Sequence, residues 1–357
     1  DSRDISDYKD ARADAIIIAS IEEKTGKVYL TSIYRDTYLK LGDENYYDKI
    51  NHAFANGGPK EMMKTVNQAL DLNIKKYVLF NFKAVSDVVE EVDGINIDVK
   101  DYEIEELNKY THESAAIIGV ENYNIVNEAG LQKLTGPQVV SYGRIRKGVG
   151  DDFKRTERMR TVIKKLLSKV KKQSLLKIDN LIDATMPQIK TNLSNSDILT
   201  LGYKLKKFNI KGSKGFPYTI TTGYLNGAAY VFPADLESDV IELHKKVFKN
   251  KNYKPSKGVL EISAQIAYDA GLSSGQSVVD PNAVIENPTN NKDLLEPESN
   301  NSQQTQNNYS QNSGENQSGN QSGNEQNTQP QQPDPNQGQT QPVQPVQPVQ
   351  PVQPTNP

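Results

Sequence analysis

Residues 14–21, Asp-Ala-Ile-Ile-Ile-Ala-Ser-Ile, form an apolar, β-branched run that reads as a buried strand. Lys24-Thr25-Gly26-Lys27 reads as a turn, and Val28-Tyr29-Leu30-Thr31-Ser32-Ile33 as a second strand, which together predict a hairpin. Arg35 and Asp36 lie just past its end, where a side chain leaves the sheet and can face a crevice. Residues 36–58, rich in Tyr, Asn and Gly, read as a loop. Pro59 then opens a helix to about Asp71, because proline suits the first helical turn; Met62, Met63, Val66 and Leu70 form its apolar face.

Tyr77–Phe82 reads as a strand, residues 83–91 as a helix and Asp93-Gly94 as a turn. Ile95-Asn96-Ile97-Asp98-Val99 alternates with period two, the pattern of a strand with one wet face. Residues 100–127 lack strong periodicity and read as a peripheral excursion. Gly136-Pro137 starts a short helix ending near Gly143. Asp151-Asp152 can cap a long helix from Phe153 to Lys172, where Met159, Val162, Ile163, Leu166, Leu167 and Val170 recur at helical spacing. Helices at 175–186 and 195–207, strands at 217–222 and 228–232, and a helix led in by Pro233-Ala234-Asp235 complete the pattern.

This mixture predicts an α/β fold over residues 1–255: a layered α/β/α domain with a central mixed β-sheet flanked by helices. Residues 256–280 read as a weakly structured linker, with a weak helix near 261–270. Residues 281–357 read as a disordered tail of Asn, Gln, Ser and Pro, too poor in apolar surface to offset the entropy of ordering. Gln-Pro-Val repeats near its end favour extended polyproline II.

Charge adds a second layer. The chain has 34 Lys against 8 Arg, yet five of the eight Arg fall between positions 144 and 160. Solubility can be served by Lys anywhere, whereas Arg offers a flat fork that grips phosphate or carboxylate with two parallel hydrogen bonds. The segment therefore reads as a holder of a phosphorylated group, set against the plainer reading of a solvated basic helix face. Net charge is −3 and the pI about 5.8, which argues against a general nucleic-acid binder. There is no cysteine, so thiol nucleophiles, iron–sulfur clusters, Cys-ligated zinc and disulfides are excluded. His52, His112 and His244 stand at no metal-ligand spacing. No apolar run has the length of a membrane span. The chain opens on Asp1 rather than Met and reads as a fragment whose upstream part, an anchor, is missing.

Asp1, Asp4, Asp7, Asp10 and Asp14 crowd the amino-terminal end. From the residues alone they are a solvated acidic terminus, or carboxylates for a hard cation such as Mg²⁺. Asp152 reads as a helix cap, as a partner of Arg155 or Arg158, or as a base near a phosphoryl acceptor. Arg155 and Arg158 share a helix face; Arg144 and Arg146 share a side only if the backbone there is extended. Lys24-Thr25-Gly26 and two Ser-x-x-Lys matches, at Ser168 and Ser174, occur in the wrong order for a penicillin-binding enzyme.

Together these pieces resemble the extracytoplasmic domain of the LytR-CpsA-Psr family. The residues that carry the likeness are Asp1-Ser2-Arg3, Arg12-Ala13-Asp14-Ala15, Ser32-Ile33-Tyr34-Arg35-Asp36-Thr37, Asp48-Lys49-Ile50-Asn51-His52-Ala53 with Gly57-Gly58-Pro59, and Asn81-Phe82. Asp93-Gly94-Ile95, Leu134-Thr135-Gly136-Pro137-Gln138, Tyr142-Gly143-Arg144-Ile145-Arg146 and Asp151-Asp152-Phe153-Lys154-Arg155-Thr156-Glu157-Arg158 complete it, in family order, across about 1–160. The resemblance implies a phosphotransferase that moves an anionic glycopolymer (teichoic acid, capsule or similar) from a polyprenyl-pyrophosphate lipid onto peptidoglycan, outside the cytoplasm and anchored to the membrane. It implies Mg²⁺, or Mn²⁺ in its place, held by Asp1 and Asp14. It implies pyrophosphate gripped by Arg35, Arg144, Arg146 and Arg155 with help from Arg12 and Arg158, and Asp152 pairing with Arg or deprotonating a sugar hydroxyl. No nucleic-acid partner is expected. Ala13 and Ala15 stand where the family often has small hydroxyl residues. The family also implies an apolar tunnel for the prenyl chain; Phe54, Val66, Leu70, Val78, Phe80 and Val85 read as tunnel lining or as core, core being the default. A pyrophosphatase acting on the same lipid, and a non-catalytic binder of wall polymer or prenyl lipid, are the competing functions.

Overall fold

A computed structural model describes residues 11–146, 151–272 and 278–286, without the side chains of Asp151 and residues 284–286. The chain divides into two units, Asp1–Asn301 and Ser302–Pro357, and every described residue lies in the first. β1 (Ile16–Glu22) and β2 (Lys27–Ile33) form the expected hairpin, in register from Ile16 opposite Ile33 to Glu22 opposite Lys27.

The loop expected over 36–58 is instead an antiparallel pair, β3 (Tyr38–Leu41) and β4 (Tyr46–Lys49), followed directly by α1 (Ile50–Leu70). Tyr38, Leu39 and Leu41 are buried, so tyrosine supplies strand-forming apolar surface that a polar-looking composition conceals. α1 is broken at Gly57 and Gly58; Gly58 takes φ +63°, and Pro59 starts the second half as expected. β5 (Val78–Phe80), α2 (Phe82–Glu91) and β6 (Ile95–Val99) fall where the pattern places them. Asn81 caps α2 by accepting the Ala84 amide at 2.9 Å.

Residues 100–127 hold α3 (Asp101–Ile118), not an irregular excursion. Its buried face is Glu103, Leu107, Thr111, Ser114 and Ala115, helically spaced but too polar and small to show as apolar periodicity. β7 (Gly130–Leu134) pairs antiparallel with β6, and α4 (Gly136–Tyr142), α5 (Asp151–Val170) and α6 (Leu175–Thr185) come next. β8 (Ile189–Thr191) pairs with β5, and α7 (Asn195–Lys204) leads to β9 (Asn209–Phe216). β9 carries no local strand signal: Asn-Ile-Lys-Gly-Ser-Lys-Gly-Phe has little β-propensity, and parallel pairing along β2 makes it a strand. β10 (Ile220–Leu225) and β11 (Ala228–Pro233) form a hairpin across Asn226-Gly227, both at positive φ, and α8 (Leu236–Lys246) succeeds it.

The α/β class holds, with β1-β2-β9 as a mixed sheet beside four two-stranded pieces among the described residues. The linker expected over 256–280 is corrected: α9 (Lys257–Asp269) buries Val259, Ile262 and Ile266 in the same core as Leu39, Ile50, Leu70 and Leu243. α10 (Pro281–Glu286) crosses the boundary expected for the tail, and Asn282 is buried, accepting the Gly215 amide at 2.8 Å. Residues 287–357, the rest of the expected tail, lie outside the described residues.

α5 is wedged between two cores. Val162 and Val170 join the core of α2, β6 and α3, while Ile163 and Leu167 pack on Val28, Leu30 and Phe208. Phe153 meets Tyr34 edge-on at 4.6 Å between ring centroids. The amino-terminal turn of α5 is thereby fixed over the end of β2, beside Arg35.

Candidate functional site

Five of the expected residues converge. Arg35 donates from Nε to Asp152 Oδ2 at 2.9 Å and from Nη1 to Asp14 Oδ1 at 3.2 Å. Arg155 bridges the same two acids, Nη1 to Asp14 Oδ1 at 3.6 Å and Nη2 to Asp152 Oδ1 at 3.4 Å. Arg146 reaches Asp152 Oδ1 at 3.7 Å. Arg35, Asp14, Arg155 and Asp152 therefore alternate in a closed ring of charge, with Arg146 on its rim.

Each member is placed by a different element. Asp14 precedes β1, Arg35 comes just after β2, and Asp152 and Arg155 sit in the first turn of α5. The Asp152 carboxylate turns to the guanidinium groups of Arg35, Arg146 and Arg155. Arg155 is buried and Arg35 half-buried. Burial opposes ionisation of Asp152, yet Arg155, Arg35 and Arg146 outweigh it and hold the carboxyl below the usual range. Burial likewise disfavours the Arg155 charge and here prevails, lowering its pKa. Arg35 goes the other way: Asp152, Asp36 and Asp14 overcome its desolvation and raise it. Arg155 Nε is buried with no hydrogen-bond partner among the described residues.

Two of the other expected residues, Arg158 and Arg144, meet other partners. Arg158 is corrected to a structural role. It is fully buried, donating from Nε to Glu103 at 2.7 Å and from Nη1 to the Ile145 carbonyl at 2.8 Å, so it cannot also grip a substrate. Arg144 turns to α3, donating to Glu113 at 2.9 Å and Ser114 at 3.0 Å, between the rings of Phe82 and Tyr110. Ile145 is wholly buried, and its two arginine neighbours diverge, Arg144 to Glu113 and Arg146 to Asp152. Arg12 is exposed, two residues before Asp14. Asp1 lies outside the described residues. Of the tunnel-or-core residues, Phe54, Val66 and Leu70 are core, Val85 packs beside a second core, and Val78 and Phe80 are each 49% exposed.

Two further residues border the site, both within the quoted motifs but given no binding role there. Asp36 approaches Arg35 Nε at 3.4 Å, and Lys49 reaches Asp36 at 3.3 Å. Asp36 adjoins Arg35 in the chain, and β4 carries Lys49 to it. Among the described residues no group of three or more His, Cys, Asp or Glu is placed to hold a metal. Asp14 nonetheless offers the hard oxygen donor that Mg²⁺ takes when phosphate oxygens and water complete its shell.

The chain is 27% identical over 70% of its length to the polyisoprenyl-teichoic acid–peptidoglycan teichoic acid transferase TagV of Bacillus subtilis, covering 64% of that protein. It is 32% identical over 54% of its length to TagT of the same organism, covering 56% of it. The chain thus spans between half and two-thirds of the length of these relatives. Among solved structures, B. subtilis TagT matches with a TM-score of 0.54 at 27% identity, over 67% of this chain and 87% of that one. TagT bound to LIIa-WTA matches at 0.51 and 26% identity, over 73% and 86%. The LytR_cpsA_psr family model matches residues 1–246, and the chain belongs to the LytR_cpsA_psr family.

Proposed function

We propose that this protein transfers an anionic glycopolymer from a polyprenyl-pyrophosphate carrier to a peptidoglycan hydroxyl outside the cytoplasm. The observation that carries the reading is the convergence of Arg35, Arg146 and Arg155 on Asp14 and Asp152. The names of TagV and TagT, and the structure of TagT bound to LIIa-WTA, support the substrate class.

Phosphoryl transfer asks a protein mainly to position a pyrophosphate and neutralise its charge. Arg35, Arg146 and Arg155 would exchange carboxylate partners for phosphate oxygens, the unpartnered Nε of Arg155 among the donors. The acceptor hydroxyl attacks the phosphorus that bears the glycopolymer, forming one P–O bond as the bridging P–O bond breaks, and polyprenyl phosphate leaves. Asp152 is a weak base while three guanidinium groups hold its pKa down. Phosphate charge shared among them relieves that pull, so Asp152 gains basicity when substrate is bound and takes the hydroxyl proton. Asp14, with Asp1, would hold Mg²⁺ or Mn²⁺, which supplies charge neutralisation on the pyrophosphate.

The test combines a lipid-linked glycopolymer, peptidoglycan and Mg²⁺ and tracks the products. A polymer–peptidoglycan phosphodiester is expected. Arg35→Ala should lower turnover by about 10²–10³-fold, the typical loss of one charge-stabilising donor. A chelator should abolish turnover, with Mg²⁺ or Mn²⁺ restoring it. Free phosphorylated polymer without acceptor attachment identifies a pyrophosphatase, and lipid binding without any turnover identifies a non-catalytic binder.

A further inference from the structure

The corner where α5 gives way to α6 takes no part in the arginine–aspartate ring. Its sequence is Lys171-Lys172-Gln173-Ser174-Leu175-Leu176-Lys177. Ser174 caps α6 by accepting the Lys177 amide at 3.2 Å, which fixes Leu175 and Leu176 in the first turn. The two are 53% and 71% exposed, while α6 buries Ile178 and Leu181. Two adjacent leucines at a corner, outside the core that their own helix serves, form an apolar tip.

Cationic surface adjoins that tip. A groove of about 630 Å³ between α5 and β9 is lined by Lys164, Lys171, Lys172 and Lys211 and, among the described residues, by no acid. No Asp or Glu occurs in the sequence between Glu157 and Asp179. Lysine alone would suit any polyanion. A soluble polyanion, however, gains nothing from exposed leucines, whereas an anionic bilayer uses both: headgroups meet lysine and the acyl boundary meets leucine.

We propose that the α5–α6 corner is a membrane-surface contact. Leu175 and Leu176 enter the headgroup–acyl boundary of an anionic bilayer while Lys164, Lys171, Lys172, Lys177 and Lys211 meet its phosphates. Asp179, about one helical turn further along the same face, limits insertion to the first turn of α6. This contact goes beyond the proposed reaction and does not depend on it.

The experiment sediments the whole 357-residue chain with vesicles of phosphatidylcholine alone or mixed with phosphatidylglycerol. Binding is expected only with the anionic lipid. Leu175→Ser with Leu176→Ser, and separately Lys171→Glu with Lys172→Glu, should each weaken it by about tenfold or more, with unfolding midpoints unchanged. The cysteine-free chain also accepts a single environment-sensitive probe at Leu176→Cys, whose emission should shift blue on anionic vesicles. Absence of sedimentation, or sedimentation indifferent to the leucine changes, overturns the proposal. Binding to soluble polyphosphate that is lost in the lysine variant and intact in the leucine variant assigns the surface to a polyanion and overturns it as well.

Discussion

Arg155 and Arg158 share the start of one helix yet meet opposite environments. Arg155 joins the ring of Arg35, Asp14 and Asp152; Arg158 is sealed against Glu103. Removing one partner of a buried pair strands the other's charge, so Arg158→Met should destabilise the fold by about 3–5 kcal/mol. Glu103→Leu added to it should recover much of that loss, read from denaturant midpoints. Asp239 tests a different principle. Burial pushes its carboxyl up to about 7, despite hydrogen bonds from the Thr219 amide and hydroxyl and the Tyr218 amide. The folded state holds this proton where the unfolded chain, near 3.8, has released it. Stability conferred by Asp239 should therefore fall as pH rises from about 4 to 7, by up to roughly 1.4 kcal/mol per unit, and level off above 7. Comparing thermal midpoints of the wild type and Asp239→Asn across that window isolates the slope; equal slopes would refute the assignment.

At the scale of elements, α1 depends on one backbone conformation. Gly58 sits at φ +63°, ψ −151°, between two helical segments that bury Ile50, Ala53 and Phe54 on one side and Met62, Val66 and Leu70 on the other. A side chain is strained there, so Gly58→Ala should cost about 1–3 kcal/mol, measurable by equilibrium unfolding. Elements with a regular apolar pattern were legible: the β1–β2 hairpin, β6, and α5 with its Val162, Ile163, Leu166 and Leu167. α3 was not, because its inward face carries Glu103, Thr111 and Ser114, residues that meet arginine and neighbouring helices rather than fill a core. β9 was not, because its pairing with β2 comes from a strand far away in sequence.

For the molecule as a whole, the folded unit extends past the boundary that composition suggests. Val259, Ile262 and Ile266 of α9 are nearly inaccessible and pack with α1, β3 and α8. Ending the chain at Pro255 should expose that core and cost several kcal/mol, since each fully buried aliphatic side chain contributes about 1.5–3 kcal/mol. A cooperative transition at the wild-type midpoint would show α9 to be dispensable.

The sequence by itself determined the α/β class, the concentration of arginine before and within the start of α5, and the position of Arg35 past a strand end. Those arise from local apolar period and residue type, which act over a few neighbouring positions. Only the tertiary structure decided which acid each arginine meets. Arg35 and Asp152 stand 117 positions apart and meet because α5 packs across β2. Arg144 and Arg158 pair with Glu113 and Glu103, on a helix with no apolar signature, because those acids lie opposite them. The direction of a long charged side chain is set by its oppositely charged neighbour in space, and spacing along the chain carries no record of that neighbour.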